Sequence, residues 1–208
     1  LDKKLKIKDL NFVGHAYIAK NHPQLIAGNF AGDSYKGNLE NFSHLPDHIL
    51  KGIELHRYID NFTDSSHHIK SVSKIFQNEG ISKVAYIASD IILDHFITKN
   101  WANFSNEKYA DFVQTIYHHT DKNLMHLEED FCFMFERLKE QKWLFQYHTE
   151  EGIDIILWQF SRRLNFENDL TKSMLVYQAN KTEIDFHFAN FMTAIVENSQ
   201  TFIANKLI

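Results

Sequence analysis

Proline constrains this chain most, through where it stops. Both prolines, Pro23 and Pro46, precede residue 47. The rest of the 208-residue chain lacks the residue that removes an intrahelical hydrogen bond and breaks helices. Apolar residues recur at helical spacing, and no stretch alternates with the strand period or carries a hairpin turn. The pattern predicts one all-α domain over residues 1–208, a bundle of helices joined by short polar loops. Helices are expected over 11–20 and 23–36, then over about 46–63 with Pro46 or Asp47 in the first turn. "SHHIKSVSKIFQNEG" is expected to stop at Gly80. "SKVAYIASDIILDHFITKNW" reads as a helix buried on most sides. Further helices are expected over 107–119 and about 121–141. "TEID" at 182–185 reads as a capping box with Asp for Glu, opening a last helix that runs to about 205.

Composition narrows the function classes. Hydrophobic residues at 44% and charged residues at 24% fit a folded globular chain rather than a disordered one. The net charge of −5 argues against general nucleic-acid binding. No apolar run reaches the roughly 20 residues of a membrane helix, and the first residues are charged rather than signal-like. The chain opens on Leu1 rather than Met, which leaves its natural start open. A single cysteine, Cys132, allows no internal disulfide or thiolate-rich zinc site and points to a reducing cytoplasm. Within "DFCFMF" it reads as a small core residue.

Four stretches place polar groups among apolar neighbours. These are "NFVGHAYIA" with His15, "GNFAGDSYKG" with Asp33, "LHRYIDNFTD" with His56, Asp60 and Asp64, and "SDIILDHF" with Asp90, Asp94 and His95. Residues four apart stand one above the other on a helix, so His56 can share a target with Asp60, and Asp90 with Asp94. Asp94 and His95 are splayed by about 100° and reach one site only if it lies between their directions. Buried carboxylates need a partner. Mixed imidazole and carboxylate donors suit a borderline divalent ion such as Mn²⁺, Fe²⁺ or Zn²⁺.

Each residue alone has a plainer reading. His15 reads as a hydrogen-bonded core histidine, Asp33 as a helix cap, Asp64 as a capping or supporting group, and Asp90 as a group that orients a ligand. His67, His68, His118 and His119 read as surface pairs, and His126 and His187 as either. Two His/Asp pairs on separate buried helices are harder to read as salt bridges, because buried ion pairs seldom repay their desolvation.

In order and spacing, "NFVGHAYIA", "GNFAGDSYKG", "GIELHRYIDNFTD" and "SDIILDHFITKNW" resemble the motifs of the acyl carrier protein phosphodiesterases, a divergent branch of the HD-domain phosphohydrolases. The strong match covers residues 11 to about 101; "WLFQY", "EGIDIIL" and "FSRRL" continue it more loosely. The resemblance implies an all-α, HD-domain-like fold and a divalent-metal enzyme, most readily with Mn²⁺ (Fe²⁺, Mg²⁺ and Zn²⁺ as alternatives). Its reaction would remove 4′-phosphopantetheine from holo-acyl carrier protein in fatty acid biosynthesis. It would carry the metal and catalytic roles to Asp33, His56, Asp60, Asp94 and His95, with His15 and Asp90 nearby. The chain departs from the wider superfamily in its adjacent pair, which runs Asp94-His95 instead of His-Asp.

On that reading, water activated by the ion attacks phosphorus in line and displaces the carrier serine. Arg57, Arg162 and Arg163 are candidates for stabilising phosphoryl charge, and His15 for protonating the serine oxygen. The alternative is an HD-type hydrolase of a nucleotide or another small phosphoester. A third class, a non-catalytic carrier-binding module, would not need the acid and imidazole set. Lys51, Lys70, Lys74 and Lys83 beside the motifs favour an acidic protein substrate. Oligomeric state is left open.

Overall fold

The computed structural model describes residues 12–208. Among them there are twelve α-helices and no strand, as the proline distribution predicts. The helices are α1 (Phe12–Ala19), α2 (Pro23–Phe30), α3 (Asp47–Ser65), α4 (His67–Asn78), α5 (Ala85–Lys99) and α6 (Trp101–Phe104). There follow α7 (Tyr109–Asp121), α8 (Glu129–Glu140), α9 (Trp143–Gln146), α10 (Glu150–Arg163), α11 (Ser173–Ala179) and α12 (Lys181–Phe202). One continuous set of buried apolar side chains runs from Phe12 to Leu207. No helix of the described residues is long and apolar enough to cross a membrane.

Two helices, α1 and α5, are apolar almost all round, because both are enclosed. Every residue of α1 is buried. So is most of α5, including Asp94 and His95. Such helices show no solvent face. α3 instead has a buried stripe of Ile49, Ile53, His56 and Ile59 and an outer face that opens on Asp47. Asp47 lies in its first turn and pairs with Lys51 at 2.9 Å. α4 ends where Gly80 predicts. Gly80 has a φ of +92°, its N–H reaches Gln77 O, and the Ile81 N–H reaches Phe76 O at 2.9 Å. This pair of bonds satisfies the last carbonyls of the helix.

Several boundaries differ from the sequence expectation. Residue 11, the expected start of the first helix, lies outside the described residues. The second helix ends at Phe30, and the chain turns through a 3₁₀ segment at Gly32–Ser34. The expected helix over 121–141 is interrupted. A 3₁₀ turn at Leu124–His126 precedes α8, and Leu127 and Glu128 are extended. The cause is tertiary: the Tyr35 hydroxyl donates to His126 O at 3.3 Å and accepts the Glu128 N–H at 3.2 Å, so a distant side chain holds the link's backbone. "TEID" is no capping box. α12 starts at Lys181 with no side-chain cap, and Asp185 instead accepts from the Tyr177 hydroxyl at 2.7 Å and pairs with Lys181. Cys132, expected in the core, is only partly buried.

α2 and α3 pack backbone against backbone. A Cβ on Gly28 would lie 2.2 Å from Ile49 O, and one on Gly52 would lie 2.5 Å from Leu25 O. Neither helix can move away without opening the core. Gly52→Ala is therefore expected to lower stability by about 1–3 kcal/mol, the range for overpacking, despite the better helix propensity of alanine. Denaturant melts of the parent and variant check this.

Candidate metal centre

The close crossing of α2 and α3 puts the end of one helix against the middle of the other. Gly32 is needed there for space, since a Cβ on it would stand 2.2 Å from His56 Cγ. Asn29, fully buried near the end of α2, reaches two histidines. Its backbone oxygen lies 2.8 Å from His56 Nδ1. Its side-chain oxygen lies 3.1 Å from His15 Nδ1, and its amide nitrogen donates to His15 O at 2.7 Å. That last bond orients the amide. Both Nδ1 atoms therefore carry the proton and donate to Asn29, which leaves both Nε2 atoms to face elsewhere.

They face the same carboxylate. His15 Nε2 is 3.1 Å from Asp60 Oδ1, and His56 Nε2 is 3.2 Å from Asp60 Oδ2 and 3.8 Å from Asp33 Oδ1. The two rings stack with centroids 4.2 Å apart. His56 Nε2 is buried and makes no aligned hydrogen bond among the described residues. Two imidazole lone pairs and a carboxylate cannot converge in a buried space without a positive charge between them. A proton on each ring would stack two cations, which repel. One divalent ion meets all three demands, and a donor atom from each of His15, His56 and Asp60 lies within 4.8 Å of the others.

The electrostatics agree. Burial alone would lower the basicity of His56, but the facing carboxylates of Asp33 and Asp60 overcome it and raise its pKa to about 9. Burial likewise works to raise Asp33, yet His56 and Lys36 hold its carboxyl down at about 2. Asp60, against the same burial, is held well below the usual carboxylate range by His15 and His56.

Of the residues singled out in the sequence, His56 and Asp60 come together as the four-residue spacing requires. Asp33 stands beside them, its Oδ1 2.7 Å from Lys36 Nζ. His15, given a proton-donor role, converges with His56 and Asp60 on the same point. Asp94 and His95 do not. Asp94 is fully buried, and its Oδ2 and Oδ1 accept the N–H groups of Val13 and Gly14, each at 2.9 Å. These donors open α1 and have no intrahelical acceptor, so Asp94 anchors the helix that carries His15. Burial pushes its carboxyl up to about 8, with the α1 N–H groups pulling the other way. His95 points off in another direction, its Nδ1 2.8 Å from Tyr147 O; burial lowers its basicity.

The remaining candidates are scattered. Arg57 donates to Tyr35 O at 2.7 Å and steadies the loop that bears Asp33. Asp64 is exposed near the end of α3, and Asp90 is half-buried one turn before Asp94. Arg162 lies over the Trp158 ring and Arg163 over Trp143 and Phe160. Lys70, Lys74 and Lys83 are exposed, and Lys70 donates to Ser65 O. The residue that sequence reasoning passed over is Asn29. Its signal was an amide inside the apolar "IAGNFAG", where a buried side chain needs all its hydrogen bonds met.

Two outcomes follow. Asn29→Leu is expected to weaken divalent-metal binding by about 10–100-fold, the usual loss when a partner behind a histidine ligand is removed, as read by calorimetry. The second concerns pH. In the metal-free protein the raised His56 contributes stability that is fully present below about pH 6.5. It is lost as pH rises through about 9, whereas Asp33 loses its contribution only as pH falls toward about 2. Metal needs the neutral ring, so its affinity should climb over the same range from pH 6.5 to 9. Chelator-treated protein should melt lower at pH 9 than at pH 6, and His56→Gln should flatten that slope.

A family model described as acyl carrier protein phosphodiesterase matches residues 10–195. An acyl carrier protein phosphodiesterase of Escherichia coli O6:K15:H31 (strain 536 / UPEC) is 26% identical over 195 residues, covering 91% of this chain and 97% of that protein. One of Shigella boydii serotype 18 is 27% identical, covering 88% and 93%. One of Enterobacter sp. (strain 638) is 29% identical, covering 71% and 76%. No solved structure was found to match the chain. With the family match spanning α1 to α12, the chain belongs to the acyl carrier protein phosphodiesterase family.

Proposed function

We propose that this chain is a divalent-metal-dependent hydrolase. It splits the phosphodiester between a carrier-protein serine and its 4′-phosphopantetheine arm, giving apo-carrier protein and free 4′-phosphopantetheine. Two things support the reading. The relatives it resembles along nearly their whole length are named acyl carrier protein phosphodiesterases. The observation that carries the metal is the convergence of two imidazole Nε2 atoms on one carboxylate, with both Nδ1 atoms held by Asn29.

His15, His56 and Asp60 would hold the ion, with Asp33 beside them as a fourth donor. An all-nitrogen-and-oxygen set of this kind favours Mn²⁺ or a similar borderline ion over a thiolate-seeking one. Such an ion, when bound, supplies Lewis acidity to a phosphoryl oxygen and lowers the pKa of water. The chain's own groups do the rest. Asn29 keeps both rings in the tautomer that binds. Asp94 fixes the start of α1 and hence His15. Arg57 holds the Asp33 loop through Tyr35 O, and Lys36 brings a cation to the edge of the site, where an anionic phosphodiester would arrive. In this scheme Lys36 takes the part expected of Arg57, and Asp94 and His95 are scaffold groups.

Incubation of the purified protein with holo-carrier protein and Mn²⁺ should shift the carrier's mass to that of the apo form. Chelator should abolish the shift. Asp60→Asn should reduce turnover by more than the about 10–100-fold expected for losing a supporting partner. A carrier protein left intact while a nucleotide or simple phosphodiester is hydrolysed would move the substrate to the small phosphoesters.

A further inference from the structure

A second group of histidines lies on α4 and α12. His67 and His68 open α4, and His187 sits in the second turn of α12. His68 Nδ1 is 3.0 Å from His187 Nδ1. The His67 ring lies against that of His68, with centroids 3.8 Å apart, and the Phe186 ring meets His68 edge-on at 6.5 Å. Two imidazole nitrogens this close across two helices can share one proton between them, but not one each. They can also share a metal ion. Donors about 2.0–2.1 Å from a tetrahedral ion stand about 3.3–3.4 Å apart, so the pair needs to open by only a few tenths of an ångström.

We propose that His68 and His187 form a second metal site, which takes a late first-row divalent ion (Zn²⁺, Ni²⁺ or Cu²⁺) and clips α4 to α12. The donor chemistry sets it apart from the central site. Two imidazoles without a carboxylate suit the nitrogen-seeking end of the divalent series and discriminate against Mg²⁺ and Mn²⁺. Both rings are half-buried, so one side of the ion stays open to water. The neutral imidazole is the form that ligates, so the test is set at a pH above the ordinary histidine range. An ion bound to the folded chain alone stabilises it by an amount that grows with the logarithm of its concentration. This inference stands apart from the proposed reaction, because none of its residues takes part in that chemistry.

The test is zinc binding by the full chain, stripped with chelator, at pH 8. Calorimetry should find two equivalents of Zn²⁺ in the parent and one in either His68→Gln or His187→Gln. His56→Gln should remove the other equivalent, and Zn²⁺ should still raise the melting temperature of that variant. It should not do so once His187→Gln is added. The two glutamine variants lie on different helices at half-exposed positions, so a folding failure of one leaves the other to decide. A zinc stoichiometry and melting shift unchanged in His68→Gln or in His187→Gln overturn the site, and would place any extra zinc on other surface histidines such as His118 and His119.

Discussion

The centre depends on a single buried amide. Asn29 offers one oxygen from its side chain to His15 and one from its backbone to His56, so one residue sets the tautomer and ring direction of two histidines from different helices. Its own amide nitrogen is used on His15 O, which prevents the group from flipping. Histidine ligands in metal sites usually donate their second ring nitrogen to such a partner. Here the two partners are one residue, and the spacing of the two rings is thereby coupled to the end of α2.

That arrangement rests on packing. Asn29 follows Gly28, whose missing side chain lets the helices touch, and His56 lies one turn beyond Gly52 on the facing helix. Gly32 then clears room for the imidazole. Three glycines therefore stand where a methyl group would drive His56 and Asn29 apart. On the other side, α5 contributes a carboxylate that holds the first turn of α1. Asp94 stands in for a capping residue supplied from another helix, and its two oxygens are already used. It acts through His15 rather than beside it.

The charge balance of the cluster explains why it suits a cation. Asp33 and Asp60 remain ionised despite burial, because imidazole hydrogens and Lys36 compensate them. The metal-free site is held together by the proton on His56, and a divalent ion would replace that proton. Ion and proton thus compete for the same Nε2 atoms. Lys36 is the exception: largely exposed, it can leave Asp33 for an incoming phosphate without uncovering a buried charge.

The amino-acid sequence by itself determined the helical architecture, the stop at Gly80, and the sharing of a target by His56 and Asp60. All of these follow from local geometry, in which Pro placement, positive φ and the 3.6-residue period act within a few residues. The family was also legible from four motifs in order. What the sequence could not decide was which polar residues face one another. Asp94 carries the same residue type as Asp33 and Asp60, yet the N–H groups of Val13 and Gly14 at the start of α1 claim it, and only folding brings those groups to α5. His95 is turned away by the 100° step from Asp94 and by the carbonyl of Tyr147. The break before α8 hangs on Tyr35, far earlier in the chain. Asn29 looked like one amide among apolar neighbours until the glycine crossing placed both histidines around it. Long-range packing decides such partners, because a buried polar group takes whichever complementary atom the fold delivers to it.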